Sequence, residues 1–286
     1  MKKRTLPLTL SMLLLTGSVA YSAPVDTFEQ DYQKIAETTL NTTNALSLFK
    51  DYEITVKGEA RSENIADFEA NSAIEINENE RLSVKEVGEV VFTNYAEDRG
   101  VATIISSSDY HLYSKKENDE SVLMAVKGVN TQSQIDRENL HYKFASQFPT
   151  IEFINPDADK RGIIRIENFV MNGDYGFSAD FEKLQDLKGH YQTGAILIDL
   201  EDEGRIAKLS LESVILDSEI QNQASYQKSV LEVNKLNVSS MNAGEAIGDF
   251  SVDKIVYSAG AEMKDGAPYV YGEFALTDIK VMPAER

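Results

Sequence analysis

The eight residues Phe250-Ser251-Val252-Asp253-Lys254-Ile255-Val256-Tyr257 place apolar side chains at the first, third, sixth and eighth positions and an oxygen-bearing side chain at the fourth. Four other segments repeat this arrangement, beginning at Ile164, Leu209, Leu231 and Phe274. Their apolar slots are Ile164, Ile166, Phe169 and Met171; Leu209, Leu211, Val214 and Leu216; Leu231, Val233, Leu236 and Val238; and Phe274, Leu276, Ile279 and Val281. The fourth slot is Glu167, Glu212, Asn234, Asp253 or Thr277. Alternation with period two is the mark of a strand that hides one face. Here the parity flips between the second and third apolar slots. Two arrangements satisfy that flip. An inserted bulge residue returns the chain to its original face, or the strand crosses from one sheet to another so that each half faces a different core.

The copies start 45, 22, 19 and 24 residues apart. The first gap is close to two units, and Gly194–Glu203 is the expected intervening strand. Repeats of about 20 residues point to a meander or solenoid rather than a mixed α/β fold. Upstream, Tyr52, Ile54 and Val56 alternate, and short runs follow at Ser72–Asn77, Leu82–Tyr95, Val101–Ile105, Tyr110–Tyr113 and Val122–Val126, with polar turns between them. Two stretches read as helical. Asp26–Lys50 starts at a capping aspartate and offers Phe28, Tyr32, Ile35, Leu46 and Phe49 for burial. Gln134–Phe148 sets Ile135, Leu140, Phe144 and Phe148 near one face and is stopped by Pro149. Phe181–Leu187 and Met241–Ile247 are expected as single helical turns. The expected fold is mainly β: an antiparallel meander of repeated amphipathic strands, as a curved open sheet or a sandwich, with an N-terminal helix and a mid-chain helix. The expected division is a signal peptide over 1–22, a helix plus β lobe over 24–150 and the repeat-bearing β lobe over 151–286; one continuous domain over 24–286 is the alternative.

Lys2, Lys3 and Arg4 precede a diluted apolar stretch from Leu6 to Val19, and small residues follow at Ser18, Ala20, Ser22 and Ala23. This is the pattern of a secretory signal, with cleavage expected after Ser22 and after Ala20 as the alternative. The predicted address is the periplasm, with secretion as the alternative. No later apolar run is long enough to span a membrane. The chain has no cysteine, which closes disulfides, thiolate catalysis, cysteine-ligated metal and a lipid-bearing mature cysteine. It carries 28 basic and 47 acidic residues, a net charge of −19. That balance argues against nucleic acid as a partner, because such binding rests on Lys and Arg neutralising phosphates. It also disfavours bare anionic headgroups.

Candidate chemistry is sparse. Asn155-Pro-Asp157-Ala-Asp159 alternates oxygen ligands as a calcium loop does, but the sixth and twelfth positions are Lys160 and Ile166 where glycine and an acid are required. Asp199-Leu-Glu201-Asp202-Glu203-Gly204 reads as a solvated hairpin tip. His111, His141 and His190 stand far apart and lack metal-ligand spacing. Ser47-Leu-Phe-Lys50 and Ser251-Val-Asp-Lys254 match a serine-x-x-lysine pattern, and Ser251 and Lys254 fall on outward slots of a repeat. No catalytic, cofactor-binding or metal-binding residue is assigned, and no cofactor is expected.

The export signal together with units such as Phe250–Tyr257 resembles the YdgA-type and AsmA-like groups of proteobacterial envelope proteins, over Gly162–Val281. That resemblance implies a β-rich fold and a part in phospholipid movement or envelope homeostasis; it transfers no functional residue. The expected function is non-enzymatic: binding of a lipid or other hydrophobic ligand on an apolar sheet face. The candidate face is Ile164, Ile166, Phe169, Leu209, Leu211, Val214, Leu231, Val233, Leu236, Phe250, Val252, Ile255, Phe274, Leu276 and Ile279. A scaffold that docks an envelope protein and an enzyme with an unrecognised site are the rivals, and ordinary closed core is the plainest account of such strands.

Overall fold

Period-two alternation with short polar turns gives long ribbons, each lying beside its neighbour in sequence. The computed structural model describes residues 16–44, 49–96, 98–116, 119–154, 160–202, 205–222, 225–242 and 245–283. A helix, α1 (Thr16–Asn44), is followed by β1 (Asp51–Ser62), β2 (Ile65–Glu75), β3 (Glu80–Ala96), β4 (Arg99–Lys116), β5 (Asp119–Asp136), β6 (His141–Gln147), β7 (Ile151–Ile154) and β8 (Lys160–Ile166). Then come β9 (Val170–Phe177), β10 (Leu184–Thr193), β11 (Ile196–Asp202), β12 (Arg205–Leu211), β13 (Ser213–Gln221), β14 (Tyr226–Asn242), β15 (Glu245–Lys264) and β16 (Ala267–Pro283). All 16 strands join one antiparallel sheet. The expected mainly β, antiparallel class is what the chain adopts.

The register reveals a simpler object. β8 and β9 run end to end as one ribbon, because Ile166↔Ile196 and Val170↔Gln192 keep the same register against β11 and β10. The same continuity joins β10 to β11, since Thr193↔Val214 and Ile196↔Leu211 are three residues apart on both sides. It also joins β12 to β13 and β6 to β7. Eight uninterrupted strands and four such pairs make twelve ribbons in strict up-and-down order.

The interruptions fall at one level. Against that register, Gly128, Pro149, Asn168 and Gly194 line up across successive ribbons, and Glu212, Lys235, Asp253 and Asp278 continue the line one residue along. Asn168, Lys235 and Asp278 there adopt φ of 51°, 49° and 51°, and Gly128 adopts 70°. This left-handed conformation is rare for residues other than glycine and asparagine. Hydrogen bonds span the breaks: Gly194 N to Glu167 O at 2.7 Å, Glu167 N to Ala195 O at 2.9 Å and Glu212 N to Asn234 O at 2.9 Å. A crease therefore crosses the sheet without breaking its pairing. From β5 onward every ribbon carries its extra residue at this level, whereas β4 has none and the step is taken up as a register shift at Ser108/Tyr110 against β5.

α1 lies on the N-terminal ribbons. Val25, Phe28 and Ile35 are buried at helical spacing in one core with Phe68, Val90, Phe92, Ile104, Ile135, Tyr175 and Phe181. The helix crosses β1 at Gly58, where a Cβ would stand 2.5 Å from Val25 Cγ1, and Glu29 Oε1 accepts the Gly58 N–H at 2.5 Å.

Four helical expectations need correction. Gln134–Phe148 is not a helix: it is the end of β5, a turn and β6, with Ile135 opposite Tyr142 and Ser133 opposite Phe144. The hairpin doubles back, so its apolar residues recur at spacings that imitate a helical face. Asp136 accepts the Asn139 N–H at 3.0 Å and Leu140 turns at φ 54°. The N-terminal helix begins before Asp26, which lies inside it, and ends before Phe49, which packs on Tyr52; Leu46 lies outside the described residues. Phe181–Leu187 holds the end of a 3-10 turn and then enters β10. Met241–Asn242 and Glu245–Ile247 are strand ends of a hairpin, where pairing across a short turn outcompetes a lone helical turn.

The crease makes a stability prediction. Lys235→Val places a β-branched residue at φ near +49° and is expected to cost about 1 kcal/mol beyond the strain lysine already carries. Lys235→Asn is expected to be near neutral, since the lost Lys235–Glu212 contact at 2.7 Å is exposed. Urea denaturation of the two variants measures the difference.

Candidate functional site

Cross-strand partners point to the same face of a sheet, so the pairing table converts the repeat into rows. One row runs Leu112, Met124, Phe153, Ile164, Ile198, Leu209, Val238, Phe250, Val281. The next runs Tyr110, Val126, Ile151, Ile166, Ile196, Leu211, Leu236, Val252, Ile279. Across the crease, Thr193, Val214, Val233, Ile255 and Leu276 form a third row, in register with Phe169. Met171, Tyr191, Leu216, Leu231, Tyr257 and Phe274 form a fourth. All 15 candidate residues fall in these rows: Ile164, Leu209 and Phe250 in the first; Ile166, Leu211, Leu236, Val252 and Ile279 in the second; Phe169, Val214, Val233, Ile255 and Leu276 in the third; Leu231 and Phe274 in the fourth.

Both arms of the crease turn their apolar rows to one side. Val126, Ile151, Ile166, Met124 and Phe153 on one arm share a single cluster with Val129, Phe148 and Phe169 on the other. Phe148 and Phe169 have ring centroids 4.9 Å apart. The sheet is thus a creased trough with a greasy interior. Two of the opening alternatives are decided by this: the extra residue restores the original face, and no strand crosses to a second sheet. Nine ribbons at about 4.8 Å give the rows a length of roughly 38 Å.

The interior is closed at one end and open at the other. Near α1 it is filled by the helix core. Along the middle ribbons the rows are half-buried. On β16, Phe274 and Val281 are 64% and 70% exposed, whereas Val252 on β15 is 2% exposed. The fourth row also changes character toward the helix, through Ser106, Thr131 and Ser146. Glu86, opposite Ser108, accepts from Tyr32 at 2.6 Å and from Ser106 at 2.5 Å. Burial pushes the nearby Tyr110 hydroxyl up to about 12, with the Glu86 carboxylate adding to the rise, so it stays protonated and able to donate. The trough grades from polar under the helix to apolar at β16.

The outer face is polar. Lys143, Asp174, Lys188, Glu219 and Lys228 occupy one row with alternating charge, with Lys143–Asp174 at 3.2 Å and Lys188–Glu219 at 3.5 Å. A shallow depression of about 610 Å³ lies here over Gly173 and Gly189, beside His190 and Asp217. His190 Nδ1 lies 2.7 Å from Asp217 and His141 Nδ1 lies 2.8 Å from Asp174, while His111 stacks on Tyr113. The three histidines do not converge. Ser218 pairs with Gly189, on the opposite face from His190 and Asp217, so no nucleophile meets that pair. Lys254 is held by Glu232 at 2.9 Å, and Lys50 by Glu78 at 3.0 Å. Ser47, Asn155–Asp159 and Glu203–Gly204 lie outside the described residues. Among the described residues no three metal-ligating side chains come together.

One buried ionic group stands out. Asp31 on α1 and Arg137 in the β5–β6 turn have side chains 1% and 11% exposed. Arg137 Nε and Nη2 donate to the two Asp31 oxygens at 2.5 and 2.6 Å, and the Tyr95 hydroxyl donates to Asp31 Oδ2. Arg137 also lies 5.9 Å over the Phe181 ring. The cleft beside this group, about 560 Å³, is lined by Asp26, Gln30, Lys34, Tyr95, Arg137 and Asp180. The carboxylate has every partner it needs, which makes it a pin between helix and sheet.

No family model, curated protein or solved structure matches this chain. The trough's N-terminal contributors, Tyr110, Met124, Val126, Val129, Phe148, Ile151 and Phe153, are absent from the sequence-based candidate face. The signal for them was present in Gly128 and Pro149, the turn-prone residues at crease level.

Removing one partner of a buried ion pair leaves the other charge stranded. Asp31→Ala is expected to cost about 3–5 kcal/mol. Asp31→Leu combined with Arg137→Met is expected to recover most of that loss. Denaturant melts of the three proteins make the comparison.

Proposed function

We propose that this chain is an exported, non-enzymatic envelope protein that holds an amphiphile in the creased trough. The observation that carries the reading is the row structure: four apolar rows line one interior, and that interior stays uncovered toward β16. A soluble domain normally covers an apolar surface of this size unless a ligand or partner uses it. The length is suited to an acyl chain. One leaflet of a bilayer is about 15 Å of hydrocarbon, well within the roughly 38 Å of the rows. Burial at about 25 cal/mol per Å² supplies the affinity.

Export is supported by the N-terminal pattern and by Pro24. Inside a helix that starts at Thr16, Pro24 lacks the N–H that would bond four residues back. After cleavage at Ser22 it would sit in the first turn, where that N–H has no partner to lose. Among the described residues no helix is long and apolar enough to cross a membrane, and lipid or an envelope protein is the proposed partner.

Native mass spectrometry of protein purified without detergent from an envelope extract tests the reading. Co-purifying lipid is expected, and a delipidated sample is expected to bind a fluorescent long-chain fatty acid. Leu236→Glu, placed in the second row, is expected to cut that affinity at least tenfold, since roughly 1.5–3 kcal/mol of apolar burial is lost. Lys208→Glu on the outer face is the control. Protein that carries no lipid and ignores the probe would refute the proposal.

A further inference from the structure

We propose that β16 is the docking edge for a second copy of this chain, joined antiparallel about a two-fold axis at the crease, so that two troughs meet end to end. The argument starts from how the ribbons already pair. In β14 and β15 the first apolar slot faces the last and the second faces the third: Leu231↔Tyr257, Val233↔Ile255, Leu236↔Val252 and Val238↔Phe250. β15 and β16 repeat it: Phe250↔Val281, Val252↔Ile279, Ile255↔Leu276 and Tyr257↔Phe274. The rule is palindromic about the crease. A strand that obeys it is complementary to another copy of itself.

Applied to β16, the rule sets Phe274 opposite Val281 of the second copy and Leu276 opposite its Ile279. All four rows then continue across the junction and the creases coincide. The outer face agrees. Ala275 comes opposite Lys280 of the second copy, which places that lysine diagonal to Glu273, an attractive pair formed twice by symmetry. Asp278 meets Thr277 of the second copy instead of another aspartate.

The exposure pattern fits this occupant. Among the described residues β16 pairs only with β15, spans 17 residues and shows Phe274, Leu276, Ile279 and Val281 at 43–70% exposure. A long apolar edge strand invites strand addition. The opposite edge is protected. β1 presents Lys57, Glu59 and Arg61 to solvent, and Glu29 occupies the N–H of Gly58. β1 pairs with β2 without a crease over Asp51–Ala60. A strand that follows β16's apolar slots can therefore match Tyr52, Ile54 and Val56 along one arm only and meets outward residues such as Lys57 and Glu59 along the other, and the symmetric, closed arrangement is favoured over a head-to-tail filament.

The inference needs only the β16 pattern and stands whether or not the trough holds lipid. Native mass spectrometry and light scattering of the purified chain over a dilution series are expected to give twice the chain mass. Ile279→Lys, at an exposed position, is expected to give a monomer with an unchanged far-UV circular dichroism spectrum and a melting temperature that no longer depends on concentration. The absence of native cysteine permits a register test. The double variant Leu276→Cys/Ile279→Cys is expected to cross-link on oxidation, and Leu276→Cys alone is not, because position 276 faces 279. A wild-type chain that stays monomeric, a dimer indifferent to Ile279→Lys, a cross-link from Leu276→Cys alone, or a different protein found paired on β16 would each overturn the proposal.

Discussion

Everything in this molecule depends on one backbone constraint: each ribbon past the first few must insert one residue at a common level. A period-two strand with a parity flip would send half its apolar side chains to water. The residues at Asn168, Lys235 and Asp278 absorb that flip by entering the left-handed region, and the neighbouring ribbons make matching adjustments at Gly128, Gly194 and Glu212. Where a ribbon lacks the extra residue, as β4 does, its partner absorbs the mismatch as a register shift, here at Ser108/Tyr110. The alignment of creases is therefore what turns an amphipathic meander into a trough with a single interior.

The helix end obeys a different logic. α1 is fixed by burial of Val25, Phe28 and Ile35 and by two polar ties, Asp31 to Arg137 and Glu29 to the backbone at Gly58. Burial alone leaves a helix free to slide or rotate on a sheet. A bidentate carboxylate–guanidinium pair has one geometry, so it sets the helix's position along the trough. The same contacts plug the closed end and blunt the β1 edge, which leaves the far end as the place where the interior meets its surroundings.

Much of this was legible in the residues. The strand class, the five repeats and the ribbon near Gly194–Glu203 follow from alternation alone, and the 15 candidate residues converge because the slots that define the repeat are also the slots that pair. The misreadings share a cause. At Gln134–Phe148 a hairpin folds apolar residues back at spacings of five, four and four, and one-dimensional periodicity cannot separate that from a helix. Once Ile135 is set opposite Tyr142, the helical face disappears. The closed end was invisible for a related reason: Asp31 and Arg137 are 106 positions apart, and nothing local marks either as a partner. The N-terminal lining was missed because its slots are filled by Tyr110, Met124 and Phe148, which keep the pattern of burial but not the pattern of letters.

The strict neighbour-to-neighbour order of the ribbons carries one more consequence. Because the slots of the creased ribbons match one another taken in the opposite direction, a hairpin of two such ribbons is an exchangeable module. Excising or duplicating one in the middle of the meander would leave both flanking ribbons with compatible partners and the crease unbroken. The length of the trough then becomes a quantity that heredity adjusts in discrete increments of roughly 10 Å, without redesign of either terminus. A chain built this way is a ruler whose markings are its own hairpins.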